Sequence, residues 1–154
     1  MTEQDRIYHG VQPVEDDDDW QCRILVEKRK LGPTERQVDD LVLYELTPKD
    51  AEGLGGFEWG YSGSGPGRAA NAILADALGL GDPWSCGFEG GPIDPVLQAL
   101  GVDFASDVLV QCCSEWRLSR PGVLRWCRGW YAQQGARDLP AALVDLPELT
   151  SSRL

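Results

Sequence analysis

Apolar positions along the chain change period from two to about 3.6 and back, and the changes mark out the elements. From Trp20 the apolar residues Trp20, Cys22, Ile24 and Val26 alternate with Gln21, Arg23 and Glu27, with Leu25 the exception, which predicts a half-buried strand. Upstream, Arg6 to Val11 reads as a short edge strand. Lys28 to Arg36 has Gly32-Pro33 at its centre and charges on both sides, so it predicts a turn between antiparallel strands, with Leu41 to Leu46 as the return. Phe57, Trp59 and Tyr61 alternate as an aromatic strand, and Trp116 to Leu118 is a further extended segment.

Helical spacing begins after the connection Gly60 to Gly67. Ala69, Ala70, Ile73, Leu74, Ala77 and Leu78 fall on one face, Arg68, Asn71 and Asp76 point away from it, and Gly79 stands where a helix C-terminus wants glycine. Asp94-Pro95 predicts a cap and first turn of a short helix that runs to Leu100 and closes at Gly101. Asp103 to Cys113 admits two readings, since Val108-Leu109-Val110 also suits a strand, and the cap-like Asp103 favours a helix. Ser119 caps a segment from Arg120 to Gln134 whose buried stripe is Val123, Leu124, Cys127, Trp130 and Tyr131, and a brief helix follows near Pro140 to Val144. Together these elements predict an α+β fold, a small antiparallel sheet of three to five strands packed against three or four helices. Three regions are expected: an acidic N-terminal segment over 1–19, a single domain over 20–144 and a tail over 145–154.

Composition narrows the function classes more than the fold. With 154 residues, 42% hydrophobic, the chain is large enough for one core that buries roughly two-thirds of its unfolded surface. Its apolar runs are too short for a membrane span and its first ten residues are polar, so a cytoplasmic location is expected. Acids outnumber bases 25 to 14, for a formal charge of −11. That balance opposes direct nucleic-acid binding, which depends on Lys and Arg displacing counterions, and suits a protein partner with a basic surface. Five cysteines without CxxC spacing, Cys22, Cys86, Cys112, Cys113 and Cys127, read as free thiols in a reducing compartment.

Candidate chemistry is sparse. The segment Gly60-Tyr-Ser-Gly-Ser-Gly65-Pro-Gly lacks the lysine of a P-loop, and around Ser62 a nucleophile elbow would need glycine where Ser64 stands. Gly65 to Ala70 formally fits GxGxxA, yet Pro66 removes a backbone donor and no parallel βαβ context surrounds it. Two readings of the loop stay open. Ser62, Gly63, Ser64 and Gly65 can turn their amides toward an anion beside a helix N-terminus, with Arg68 adding charge, or they can serve as a turn with Ser64 as N-cap. The run Asp16, Asp17, Asp18 and Asp19 lacks the spacing of a calcium loop and reads as an acidic interaction surface. His9, the single histidine, has no thiol or second ligand at catalytic or metal spacing, so neither a metal nor another cofactor is expected.

The motif FEWGYSGSGP at 57–66, followed by the Ala-rich helix, resembles a small prokaryotic and phage family known only as a domain of unknown function. The resemblance runs from Leu41 to Tyr131, taking in Asp103-Phe104, Trp116-Arg117-Leu118 and Val123 to Tyr131, and departs at Gly67 and the glycine-rich Gly79 to Gly91. It brings no assigned activity, but its mobile-element setting implies a role in conflict between phage and host. Two functions are therefore expected: a non-enzymatic acidic protein that occupies a basic site on a nucleic-acid-handling partner, or a module that binds a nucleotide or phosphate through 60–68.

Overall fold

The computed structural model describes residues 6–12, 22–31, 37–46, 57–60, 64–80, 95–136 and 138–144. Four antiparallel strands, β1 (Arg6–Val11), β2 (Arg23–Leu31), β3 (Gln37–Glu45) and β4 (Glu115–Ser119), form a sheet in the order β3-β2-β1-β4. The described helices are α1 (Ser64–Leu78), α2 (Pro95–Asp107), α3 (Arg120–Gln133) and the single turn α4 (Ala141–Val144), with a 3-10 turn at Leu109–Gln111. This is the α+β arrangement that the periodicities predict.

Cross-strand pairing sets the two faces of the sheet. Tyr8 stands opposite Val26 and Leu118, and Gly10 opposite Ile24 and Trp116. Tyr8, Ile24, Val26 and Trp116 enter one core with the apolar residues of α1 and with Phe57, Trp59, Leu97, Leu100, Phe104 and Leu143, and Leu118 packs against it. His9, Leu25, Glu27 and Arg117 belong to the other face by the same alternation. β1 is not an edge strand, and it does not belong to a separate N-terminal segment: it lies between β2 and β4 and is buried from Ile7 to Gly10.

α1 is enclosed rather than one-sided. Ala69, Ala70, Ala72, Ile73, Leu74, Ala75, Ala77 and Leu78 are all buried, the pattern of a helix covered on most of its circumference. Its C-terminus is closed as expected: Gly79 has φ +68° and the Leu80 amide donates to the Ala75 carbonyl at 3.0 Å, a Schellman closure. The Arg120 guanidinium donates to the Ala77 carbonyl at 2.9 and 3.1 Å, serving an end carbonyl that has no helical partner.

Three element boundaries differ from the sequence reading, each for a tertiary reason. α2 passes straight through Gly101 and ends at Asp107, so the two expected helices are one. A β-carbon on Gly101 would lie 2.0 Å from Asn71 Oδ1, so this glycine permits α1 and α2 to approach closely rather than ending a helix. Among the described residues, which exclude Tyr61, the aromatic strand reduces to a single bridge, Phe57 with Cys22. Past it, Gly60 adopts φ +85° and donates its amide to the Leu109 carbonyl at 2.9 Å, which takes the chain off the sheet. β2 continues to Leu31 and β3 starts at Gln37, so both strands run further than the expected turn allowed; Gly32-Pro33 lies outside the described residues. α3 begins as predicted, with Ser119 Oγ accepting from the Gly122 amide at 3.1 Å.

Candidate functional site

Chemistry-bearing side chains gather in three places, and the glycine–serine connection is a fourth stretch to place. Ser64 and Gly65 are the first residues of α1, so Ser64 is not the residue before the helix, and Arg68 is half-buried on its second turn. Ser62 and Gly63 lie outside the described residues, as do Asp16, Asp17, Asp18 and Asp19. Upstream of the loop the Gly60 amide is consumed by Leu109, and a β-carbon there would sit 3.3 Å from the Cys112 carbonyl. The entry to the connection is therefore fixed by packing on the 3-10 turn.

The first cluster is inside the fold. Asp76 of α1 does not point to solvent: its Oδ2 accepts from Tyr8 Oη at 2.7 Å and from the Arg6 guanidinium at 3.0 Å, and its Oδ1 accepts from Tyr44 Oη at 2.5 Å. Arg6 also donates to Tyr44 Oη at 2.7 Å. One carboxylate thus joins β1, β3 and the central helix. Burial, and the neighbouring Asp76 carboxylate, push the Tyr44 hydroxyl up to about 12 and raise Tyr8 further. Burial also lifts the Cys127 thiol to about 12.

Those shifts have one sign. A phenol or thiol with a raised folded-state value holds its proton in the native state at a pH where the unfolded chain has released it, so stability declines as pH rises through that interval. The protein is expected to keep its full stability up to about pH 9, the ordinary value for a thiol such as Cys127, and to lose it progressively toward about pH 12. Urea-unfolding midpoints at about pH 8 and about pH 11 check this, and equal midpoints would contradict it.

The second cluster lies on the opposite face of the sheet. His9 Nδ1 is 2.7 Å from Glu27 Oε2, and its Nε2 is 3.5 Å from Glu115 Oε2. Arg117 Nε stands 3.6 Å from Glu27 Oε1, and its terminal nitrogen 3.6 Å from Glu115 Oε1. The imidazole of His9 thus lies between two acidic side chains, Glu27 on its Nδ1 side and Glu115 on its Nε2 side. His9 and Glu27 are both buried, and the contacts of His9, Glu27, Glu115 and Arg117 connect β1, β2 and β4. In the sequence His9 has no thiol partner at catalytic spacing, and Glu27 stands among the polar positions of β2. The signal that finds these neighbours is the strand pairing, which sets His9 opposite Arg117 and Leu25. Among the described residues no group of three or more His, Cys, Asp or Glu side chains is arranged to hold a metal ion.

The third place is the outer strand. Leu41, Val42 and Leu43 of β3 are 54%, 50% and 42% exposed. Tyr44 pairs with Val26 and Val42 with Glu27, so Leu43 is the extra residue of a bulge. The sequence placed Leu41 to Leu46 in a strand, and of that run Leu46 is buried while Leu41 to Leu43 face outward.

Comparison with known proteins reaches only part of this architecture. Residues 25–83 match a family of unknown function, DUF6166. The match spans β2 from Leu25, β3, the Phe57–Gly60 segment and α1, and it contains the whole FEWGYSGSGP stretch. Asp103-Phe104, Trp116 to Leu118 and Val123 to Tyr131 lie beyond it. No curated protein and no solved structure matches the chain. No helix among the described residues is long and apolar enough to cross a membrane.

Proposed function

We propose that this chain is a non-enzymatic interaction protein whose acidic exterior occupies a basic site on a nucleic-acid-handling partner in the cytoplasm, as an inhibitor carried by a phage or mobile element against host defence would. The observation that carries the reading is the formal charge of −11, spread over a chain of 154 residues. A surplus of that size repels nucleic acid itself and draws in the proteins that bind it, because such proteins present the Lys and Arg that phosphate demands. The uncovered apolar residues of β3 support the same reading, since long-range charge steers an encounter and desolvated apolar contact holds it. Capture on the immobilised chain from nuclease-treated bacterial lysate tests it. Basic nucleic-acid-binding proteins are expected to be retained at about 50 mM salt and released by about 300 mM, as screening of exposed charge requires. Retention of no basic protein would overturn the reading.

A second reading, phosphate or nucleotide binding by Ser62, Gly63, Ser64, Gly65 and Arg68, draws support from the position of Ser64 and Gly65 at the start of the fifteen-residue helix α1. A thermal-shift screen separates the two, because a phosphate compound at about 100 times its Kd adds about 2.7 kcal/mol of stability. No shift with any nucleotide or with inorganic phosphate removes the second reading.

A further inference from the structure

Exposed large apolar side chains are unevenly distributed over the described residues. Val96 and Val102 on α2 and Val144 on α4 stand apart in sequence, whereas Leu41, Val42 and Leu43 are consecutive. Three in a row on the outer strand of a sheet is a pattern that soluble proteins normally avoid, because an outer strand also presents a row of main-chain donors and acceptors. In the order β3-β2-β1-β4, β3 has β2 on one side and no described strand on the other.

The chemistry of the strand already paired with β3 indicates what suits its open side. β2 is RILVEKRKL, with Arg23, Lys28, Arg29 and Lys30 against the single acid Glu27, with Ile24, Leu25 and Val26 after Arg23 and Leu31 at its end, and Arg23 donates to Glu45 of β3 at 2.7 and 2.9 Å. β3 is QVDDLVLYE, in which every charged residue is an acid: Asp39, Asp40 and Glu45. A basic and apolar strand is therefore the complement that β3 has in its own sheet. A second copy of the chain is the poorer occupant, since it would set acids against acids and bring together two bodies each of charge −11.

Resting on the interaction reading above, we propose that the outer edge of β3 docks an extended segment of a partner protein, basic and apolar in alternation, that adds to the sheet beyond β3 and covers Leu41, Val42 and Leu43. Main-chain hydrogen bonds supply affinity in this mode, and alternate side chains supply selectivity. The bulge at Leu43 limits the regular ladder to one side of that residue, so the apolar cover and the charge together select the segment.

Fluorescence anisotropy with labelled peptides of about nine residues, the length of an ordinary strand, tests the proposal. The probes are an alternating lysine–valine peptide, its glutamate–valine counterpart, and the lysine–valine peptide with alternate amides N-methylated. The wild-type chain is expected to bind the first at least about tenfold tighter than the other two. The double variant Leu41→Lys/Leu43→Lys is expected to lose about tenfold or more with an unchanged circular dichroism spectrum, because exposed positions tolerate substitution. Val102→Lys/Val144→Lys, which changes charge equally at two other exposed apolar positions, is expected to bind like wild type.

Equal binding of the lysine and glutamate peptides, equal binding of the N-methylated probe, or equal loss in both double variants would each overturn the docking edge. So would a concentration-dependent dimer of the wild-type chain that Leu41→Lys abolishes, which would assign β3 to a second copy. If both the wild-type chain and the Leu41→Lys/Leu43→Lys variant retain the same basic proteins from lysate, the edge is wrong and the interaction reading stands. If neither retains any, the interaction reading itself fails.

Discussion

Asp76→Ala is expected to lower stability by about 3–5 kcal/mol, the range found when one partner of a buried ion pair is removed. The Asp76 and Arg6 side chains are 8% and 15% exposed, and Asp76 is the acceptor for Tyr8, Tyr44 and Arg6 together. Alanine would leave the Arg6 guanidinium without its carboxylate and the Tyr8 hydroxyl, on a fully buried residue, without its acceptor. The carboxylate's contribution to both is then lost, while Arg6 and Tyr44 retain their own 2.7 Å hydrogen bond. At about 2–4 °C per kcal/mol for a chain of this size, Tm is expected to fall by roughly 6–20 °C. Asp76→Asn keeps the shape and one acceptor but loses the charge, and an intermediate loss is expected. Urea unfolding of the three proteins reads the series. A loss below about 1 kcal/mol for alanine would mean that Asp76 behaves as a surface residue.

Gly10→Ala is expected to cost about 3 kcal/mol, at the upper end of what overpacking a well-filled core does. Gly10 faces Trp116 across β1 and β4, and a β-carbon on it would meet the indole at 2.1 to 2.5 Å. The indole cannot simply move aside, because it is buried edge-on against Trp59 with centroids 5.1 Å apart and planes at 83°. The sign makes this prediction sharp. Strand preference alone favours alanine over glycine by about 0.5–1 kcal/mol, so a stabilised variant would show that the tryptophan does not lie over Gly10. Trp116→Leu is expected to relieve part of the cost in the double variant, which a double-mutant cycle measures.

Both predictions fall on positions where local sequence was a poor guide. β4 and α3 were legible because their signals are local: Ser119 announces the helix start, and the stripe Val123, Leu124, Cys127, Tyr131 is buried as its spacing requires. Trp130 was placed in that stripe, but it is only half-buried and donates Nε1–H to Asp103 Oδ2 at 2.6 Å, so its polar edge found a partner on α2. Gly101 read as a stop and is a helix crossing; Gly60 read as the start of a free connection and is tied by its amide to Leu109. Glycine carries no record of which neighbour needs the missing side chain, and here the neighbours are Asn71 and Cys112. Asp76 occupies a polar position on its helical wheel, yet its donors arrive from 32 to 70 residues away in sequence. The same holds for His9, whose carboxylates come from β2 and β4. At the candidate docking edge, the run Leu41 to Leu46 was readable as a strand, but a continuous apolar run does not say which residues turn outward, and a bulge decided it.

The charge reading was available from composition alone, and it is the part that the account depends on most. Its consequence is kinetic: attraction between an acidic body and a basic site accelerates encounter, and salt removes the acceleration while leaving dissociation much less affected. The most direct measurement is the association rate constant of the purified chain with its captured basic partner, followed by stopped flow across ionic strength. The account predicts a fall of about tenfold or more between about 50 and about 300 mM salt, with a dissociation rate that changes by much less. An association rate that stays level across that range would contradict it, because recognition would then not depend on the charge of −11 that this chain carries.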